Sequence, residues 1–328
     1  MGRQGLAFTP PQARLARKGE FSMRLILLAA TASLLIASSP ALAQSAADLA
    51  KVEIKPQVLA PGVAVLFGAG GNIGVSYGPD GTVLIDDQFA PLNAKIVAAV
   101  AALGATPVRY VLNTHWHYDH AGGNEPLGAA GATIFAHDNV RLRLLKGGTV
   151  AGNATPPAPP KALPVVTYAQ GITFHLNGDE IEAIYTGGGH TDGDTVLYWR
   201  KANVLHTGDL MMNGLGFPFI DTASGGNALH LVATLDKLLA MTNATTKIIP
   251  GHGPVATRAD LQGWRDMIAG AVETVRKARA GKKTLPAFLA ANPFKPMEKP
   301  NGFISAEVFA RAIWQSLDAM PADHARHH

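Results

Sequence analysis

Residues 113–123 read NTHWHYDHAGG and gather His115, His117, Asp119 and His120 within six positions. Three of the chain's twelve histidines fall in this one stretch. Imidazole nitrogens and carboxylate oxygens are the donors that zinc and similar divalent ions take, so one reading is a metal site. The plainer reading is a solvated polar loop. Alternate residues of an extended segment point the same way, which lets His115 and His117 grip one ion together. Asp119 and His120, beyond a turn, are then free to face a second ion.

Three further segments favour the metal. GGGHTDGD carries His190, LHTGDL carries Asp209 and IIPGHGP carries His252. Each sits in a Gly-rich turn after an apolar strand, and strand ends meet at one edge of a sheet, where open α/β proteins build their sites. Glycines beside the donors let the backbone turn sharply and approach an ion. The chain has no cysteine, which excludes thiolate ligands, a cysteine nucleophile and disulfides alike.

The elements that must position these residues follow from hydrophobic period and turn signals. The run VEIKPQVLAPGVAVLFGAGGNIGVSYGPDGTVLIDD reads as short strands, with a hairpin about the turn 78–81. PLNAKIVAAVAALG reads as a helix opened by Pro and stopped by Gly, and PVRYVLN as a strand running into the histidine cluster. ATIFAH and DNVRLRLLK repeat that alternation, and residues 146–164, rich in Gly, Pro and Ala, read as a loop with little capacity to build core. The second half starts again with strands, GITFHL and DEIEAIY about an Asn-Gly turn, then DTVLYWR and NVLHTGD. Helices are expected at NALHLVATLDKLLAM, RADLQGWRDMIAGAVETVRKARAG and SAEVFARAIWQSL, with TKIIPGHG as a short buried strand among them. Two β-rich halves that each continue into helices predict an α/β fold of two packed sheets with helices outside, a four-layered αββα sandwich.

From about Gly68 to Gly253 the chain resembles the metallo-β-lactamase superfamily. THWHYDHAGG, GGGHTDGDT, HTGDL and PGHGP carry the likeness, with VLIDD as a weaker upstream element. The resemblance implies that His115, His117 and His190 hold one metal and that Asp119, His120 and His252 hold a second. Asp209 would bridge them, and Asp86 would support the histidine loop without being a ligand. Two zinc ions per chain are the expected cofactor, with iron or manganese as substitutes for the same donors. Two such ions flanking one water bring its pKa toward neutrality and polarise a carbonyl, while Asp119 orients that water and handles its proton. The implied reaction is hydrolysis of an ester, lactone, thioester, amide or lactam.

Two positions narrow the resemblance. True metallo-β-lactamases usually have cysteine or serine where this chain has Asp209, so the set is closer to glyoxalase II and the lactonases. The flavodiiron branch typically has glutamate where this chain has His117, which favours hydrolysis over oxygen reduction. A mononuclear iron persulfide dioxygenase keeps similar residues and is the enzymatic alternative. A metal-binding protein of the same fold without turnover is the other alternative, and the filled set of ligand positions argues against it.

Charge and the N-terminus speak to place and partners. Met23-Arg24 precedes an apolar run that ends in Ala41-Leu42-Ala43, the form of a secretory signal peptide cleaved after Ala43, with residues 1–22 as an upstream extension and Met23 as the alternative start. The run is too short and broken for a membrane span. Before Gln44 lie five basic residues and one acid, which removes the net charge of +4 from the remainder. The mature chain is near neutral and offers no basic footprint for nucleic acid. A periplasmic or secreted hydrolase of small molecules is expected, with its domain over 44–320 and a disordered tail at 321–328. A glutathione thioester suits that compartment less well than the cytosol.

Lesser signals complete the reading. His137 is expected to close a strand or cap the next helix, and His206 to sit in the core or behind a ligand. His175 and His230 have no companion pattern, and His324, His327 and His328 belong to the tail. Trp116 and Tyr118 either line a pocket or pack behind the metal loop. Phe217 and Phe219, in the irregular segment 211–226, are candidates for an apolar wall. PFKPMEKPNGFIS is a candidate to fold over the opening.

Overall fold

The β-branched runs pair into two sheets, seen in a computed structural model that describes residues 46–319. The expected signal peptide and the tail histidines lie outside the described residues. In the first sheet β1 (Lys55–Ala60), β2 (Val63–Phe67), β3 (Ile73–Ser76) and β4 (Thr82–Ile85) are successive antiparallel neighbours. β5 (Val108–Asn113) and β6 (Thr133–His137) add in parallel. A separate hairpin of β7 (Gly148–Val150) and β8 (Asn153–Thr155) follows, and β9 (Val166–Tyr168) then extends the first sheet parallel to β6. The second sheet runs in chain order through β10 (Gly171–Leu176), β11 (Asp179–Tyr185), β12 (Thr195–Trp199), β13 (Val204–His206) and β14 (Lys247–Ile249). Its pairs are antiparallel except β13 with β14.

Alternation decides what each strand buries. Val83 and Ile85 of β4 pack into the same interior as Leu197 and Trp199 of β12, so this cluster is the interface between the sheets. Leu84, between them in sequence, faces away and meets Ile96 and Val100 of the helix Asn93–Ala102. On the far side Val196, Tyr198, Leu205 and Ile248 pack against Leu231 and Leu235 of the helix Ala228–Met241 and Trp264 and Ile268 of the helix Arg258–Ala280. Helix, sheet, sheet, helix is the αββα sandwich that the order of elements predicts. Truncating a fully buried side chain such as Leu84 to alanine would cost about 2–5 kcal/mol.

The outer helices start where their capping residues say. Asn227 accepts from the backbone N–H of Leu229 and His230, and Ser305 accepts from Val308 to open the helix Ala306–Asp318. Thr257 and Asp260 form a reciprocal capping box at the head of the long helix. The segment 146–164 departs from the sequence expectation of a coreless loop. It contains the β7–β8 hairpin and a single 3-10 turn, and Val150, Ala158 and Leu163 pack on a small cluster about the buried Trp116. Its apolar side chains are too few to show a period, but one large buried partner is enough to hold them.

Candidate metal centre

Strand direction brings the candidate residues to one edge. β4, β5 and β6 are parallel, so Asp86 and the 115–120 cluster leave neighbouring ends of the first sheet. In the second sheet β11, β13 and β14 end on the side where β12 begins, which sends His190, Asp209 and His252 out of one edge. Hydrogen bonds join the two edges. Thr195 N donates to Thr114 O at 2.9 Å, and Asn72 Nδ2 donates to Pro250 O and Gly253 O, both at 2.8 Å. Asn72, which sequence reading passed over, thus clamps the loop that bears His252.

All seven expected ligands come together. Donor atoms lie within 4.8 Å of one another in three sets: His115, His117 and His190; His115, His120 and Asp209; and Asp119, His120 and His252. Asp209 sits between the outer two, its Oδ2 3.7 Å from His190 Nε2 and its Oδ1 3.0 Å from His120 Nε2 and 3.5 Å from His252 Nε2. Asp119 Oδ2 lies 3.2 Å from His252 Nε2 and 3.7 Å from His120 Nε2. The close approach leaves no room beside it. A Cβ on Gly71 would stand 2.1 Å from the His120 ring, and one on Gly251 would stand 1.9 Å from Asp209 Oδ1.

The outward-facing nitrogens explain why the inward ones are free. His117 Nε2 donates to Asp221 Oδ2 at 3.0 Å, His120 Nδ1 to Asp86 Oδ2 at 2.7 Å and His190 Nδ1 to Phe219 O at 2.6 Å. Thr114 Oγ1 gives its proton to Asp86 Oδ2 at 2.8 Å and so accepts from His115 Nδ1 at 3.0 Å. These bonds set the tautomers and, in neutral His115, His117 and His190, leave a lone pair on the inner nitrogen, the arrangement that surrounds metal-bound histidines. Two lone pairs, on His190 Nε2 and His117 Nδ1, then face each other across 2.9 Å. His115 Nε2 is buried with no hydrogen-bond partner. Neutral nitrogens turned on each other and orphaned buried donors are costly unless a cation lies among them, so the donor set fits a metal.

The metallo-beta-lactamase superfamily model matches residues 67–252, a span that begins at the end of β2 and ends on His252. The chain belongs to the metallo-beta-lactamase superfamily. It is 31% identical to a hydroxyacylglutathione hydrolase of Rhodospirillum rubrum over 249 residues, 70% of this chain and 86% of that one. It is 24% identical to the type 2 metallo-beta-lactamase of Bacteroides fragilis over 50% of this chain and 60% of the relative. Among solved structures, a metallo-beta-lactamase from Pontibacter korlensis superposes with a TM-score of 0.56 at 20% identity, covering 66% of this chain and 99% of that one. That last likeness concerns the fold alone.

Within this superfamily fold the centre is electrostatically uneven. Burial, then the neighbouring imidazoles, which disfavour a further positive charge, hold His115 well below the usual imidazole range, and burial with His117 alongside brings His190 down to about 4. Burial opposes protonation of His120 and His252 too, but carboxylates override it. Asp209, Asp119 and Asp86 push His120 up, and Asp209 and Asp119 raise His252 to about 9. Asp209 and Asp119 are in turn held below the usual carboxylate range, against their own burial, chiefly by the charge of His120. Protons and a divalent cation therefore compete for the nitrogens on this side.

Of the supporting residues, Asp86 was expected from the sequence, whereas Asp221, the Phe219 carbonyl and Asp194 were not. Asp86 has its backbone in the left-handed region, φ 64°, at the end of β4, and its carboxylate also accepts from Thr114 N at 2.7 Å. Strain of that kind persists where surrounding bonds over-determine it. Asp221 holds His117 from a segment more than a hundred residues away, and Phe219 holds His190 through its carbonyl; neither has a local motif. Asp194 accepts from the backbone of His190 and Thr191 and fixes the loop between β11 and β12.

The lesser histidines and aromatics divide as follows. His137 ends β6 and caps the helix Asp138–Lys146, accepting from Asn139 N. His206 donates to Asn72 O and accepts from Gly208 N, so it braces the backbone just before Asp209. His175 and His230 are exposed, and Trp116 is buried behind the metal loop with its Nε1 donating to Ser224 Oγ at 3.1 Å. Phe217 corrects the sequence expectation: it is buried against Phe309 at 4.6 Å and belongs to the core, because the irregular 211–226 segment turns it inward. Phe219 does lie at the centre, its ring 5.7 Å from that of His117 and 5.6 Å from that of His190.

Proposed function

We propose that this protein is an exported, dinuclear zinc hydrolase of small acyl compounds, taking an ester, lactone, thioester or lactam. The observation that carries the reading is the Asp209 carboxylate, buried between two histidine groups with Oδ1 3.0 Å from His120 Nε2 and Oδ2 3.7 Å from His190 Nε2. His115, His117 and His190 would hold one ion, Asp119, His120 and His252 the other, and Asp209 would be shared. Ions held there supply Lewis acidity, which makes water nucleophilic near neutral pH and polarises an acyl oxygen.

The chain's own residues supply position and proton traffic. Asp119 is 33% exposed while Asp209 is 5% exposed, so Asp119 is the carboxylate that reaches the opening. With its pKa held low it is an anion at neutral pH, ready to orient water and to pass a proton to the leaving group. Asp86, Asp221 and the Phe219 carbonyl hold the imidazole rings so that the nitrogens meet without reorganisation at the moment of reaction. Export rests on the N-terminal sequence, and hydrolysis is supported by the hydrolase relatives.

Metal analysis of purified protein is expected to give close to two zinc ions per chain, and chelation is expected to remove activity. A panel of nitrocefin, lactones, thioesters and phosphodiesters then finds the acyl class. A single iron per chain with oxygen consumption on a persulfide would overturn the proposal. Terminal sequencing of the mature protein is expected to start at Gln44.

A further inference from the structure

The aromatic rings bordering the metal centre point to a substrate class, an inference that rests on the hydrolase reading above. Phe219, half-buried, lies against His117 and His190. On the other side the ring of Phe303 stands 5.6 Å from that of His252 and is 49% exposed. Tyr118, next to Asp119 in the chain, is 55% exposed and rests on Phe89 at 5.5 Å. The rings of Phe219 and Phe303 therefore flank the two histidine groups.

Phe303 is not a loose surface residue. Its segment is closed by Glu298, which takes the backbone N–H of Ala306 at 2.9 Å and pairs with Lys295 at 2.9 Å, and by a turn from Gly302 N to Lys299 O. Gly302 packs so closely on Leu215 that an added Cβ would stand 3.0 Å from its carbonyl oxygen. An anchored segment thus holds a half-exposed phenyl ring beside a candidate ligand. Exposure of large apolar groups at a concave polar site is the mark of a ligand surface.

We propose that the preferred substrate is an ester or lactone carrying an alkyl chain or aryl ring, seated on Phe303 and Phe219 with its carbonyl turned to the centre. Hydrolysis breaks its acyl C–O bond and adds water across it, giving a carboxylic acid and an alcohol.

The test uses the zinc-loaded full chain with p-nitrophenyl acetate, butanoate and octanoate. Each buried methylene is worth roughly fourfold in binding, so kcat/KM for octanoate is expected to exceed that for acetate by at least tenfold. Phe303→Ala is expected to cut the octanoate-to-acetate ratio at least threefold, mainly through KM, and Phe303→Leu to restore most of it. Saturation-transfer NMR with the uncleaved ketone 2-octanone is expected to show contact with the alkyl protons, weakened in Phe303→Ala. The same ratio in wild type and Phe303→Ala, or tenfold preference for a glutathione thioester over octanoate, overturns the inference and leaves the hydrolase reading standing. No turnover of any acyl compound by protein holding two zinc ions sinks the hydrolase reading, and the ketone experiment then decides the aromatic surface by itself.

Discussion

The two histidine groups use the same side-chain chemistry and behave differently. His115, His117 and His190 are closed in, each with its outward nitrogen tied to a protein acceptor, and burial drives His115 and His190 neutral. The second group is the more open, since Asp119 reaches the opening and His252 approaches it while His120 stays fully buried. Here carboxylates raise the pKa of both imidazoles. Residue type does not make this difference. The placing of Asp209, Asp119 and Asp86 does, because in a buried site one nearby charge outweighs an intrinsic pKa.

The sharpest way to break this contrast is Asp119→Asn, which keeps the shape and removes the exposed anion. Hydrolysis is expected to fall about 10²–10⁴-fold with an unchanged circular dichroism spectrum, and undiminished turnover would mean that the open group has no proton role. Next in size is Asp221→Asn, which loosens only the closed group through His117. Loss of such an outer partner costs roughly 10–100-fold in metal affinity, so chelator competition is expected to show one of the two ions weakened and the other unaffected. Equal weakening of both would merge the groups into one.

A smaller, graded effect is expected from pH. Binding an ion requires neutral imidazole, and chelated protein should hold His252 protonated below about 9. Zinc affinity at the open group is therefore expected to rise with pH up to that value, by about tenfold per unit for each proton displaced, and to level off above it. His190, by contrast, should stay neutral and able to hold an ion down to about 4. Proton release on zinc addition at pH 7, followed in weak buffer, measures the difference. The mildest perturbation is Ser224→Ala, which removes the acceptor of Trp116 behind the closed group. It is expected to cost about 1–3 kcal/mol in denaturant unfolding and to change turnover by less than the variants above. A larger effect on turnover would show that the packing behind the loop also positions the ligands.

Much of this centre was readable before any coordinates. His115, His117, Asp119 and His120 are close in sequence, and His190, Asp209 and His252 each announce themselves by a glycine turn after an apolar run. Apart from Asp86, their partners were not readable. Asp221 is one acid in an irregular stretch, and nothing near it in sequence shows that it meets His117. Phe217 and Phe219 are two residues apart in that same stretch, yet one packs on Phe309 in the core and the other on the ligand rings. Residues 146–164 lacked a period, so their packing on Trp116 was invisible as well.

Sequence by itself determined most of the strands, the main helices, the layer order and the candidate donors, because these depend on periods of two and 3.6 residues and on turn chemistry that acts within a few positions. Tertiary structure alone decided which nitrogen of each ring faces inward, which imidazoles carry a proton and which aromatic rings border the opening. Those depend on charges and surfaces brought together from distant parts of the chain, and no local pattern encodes a distance between them.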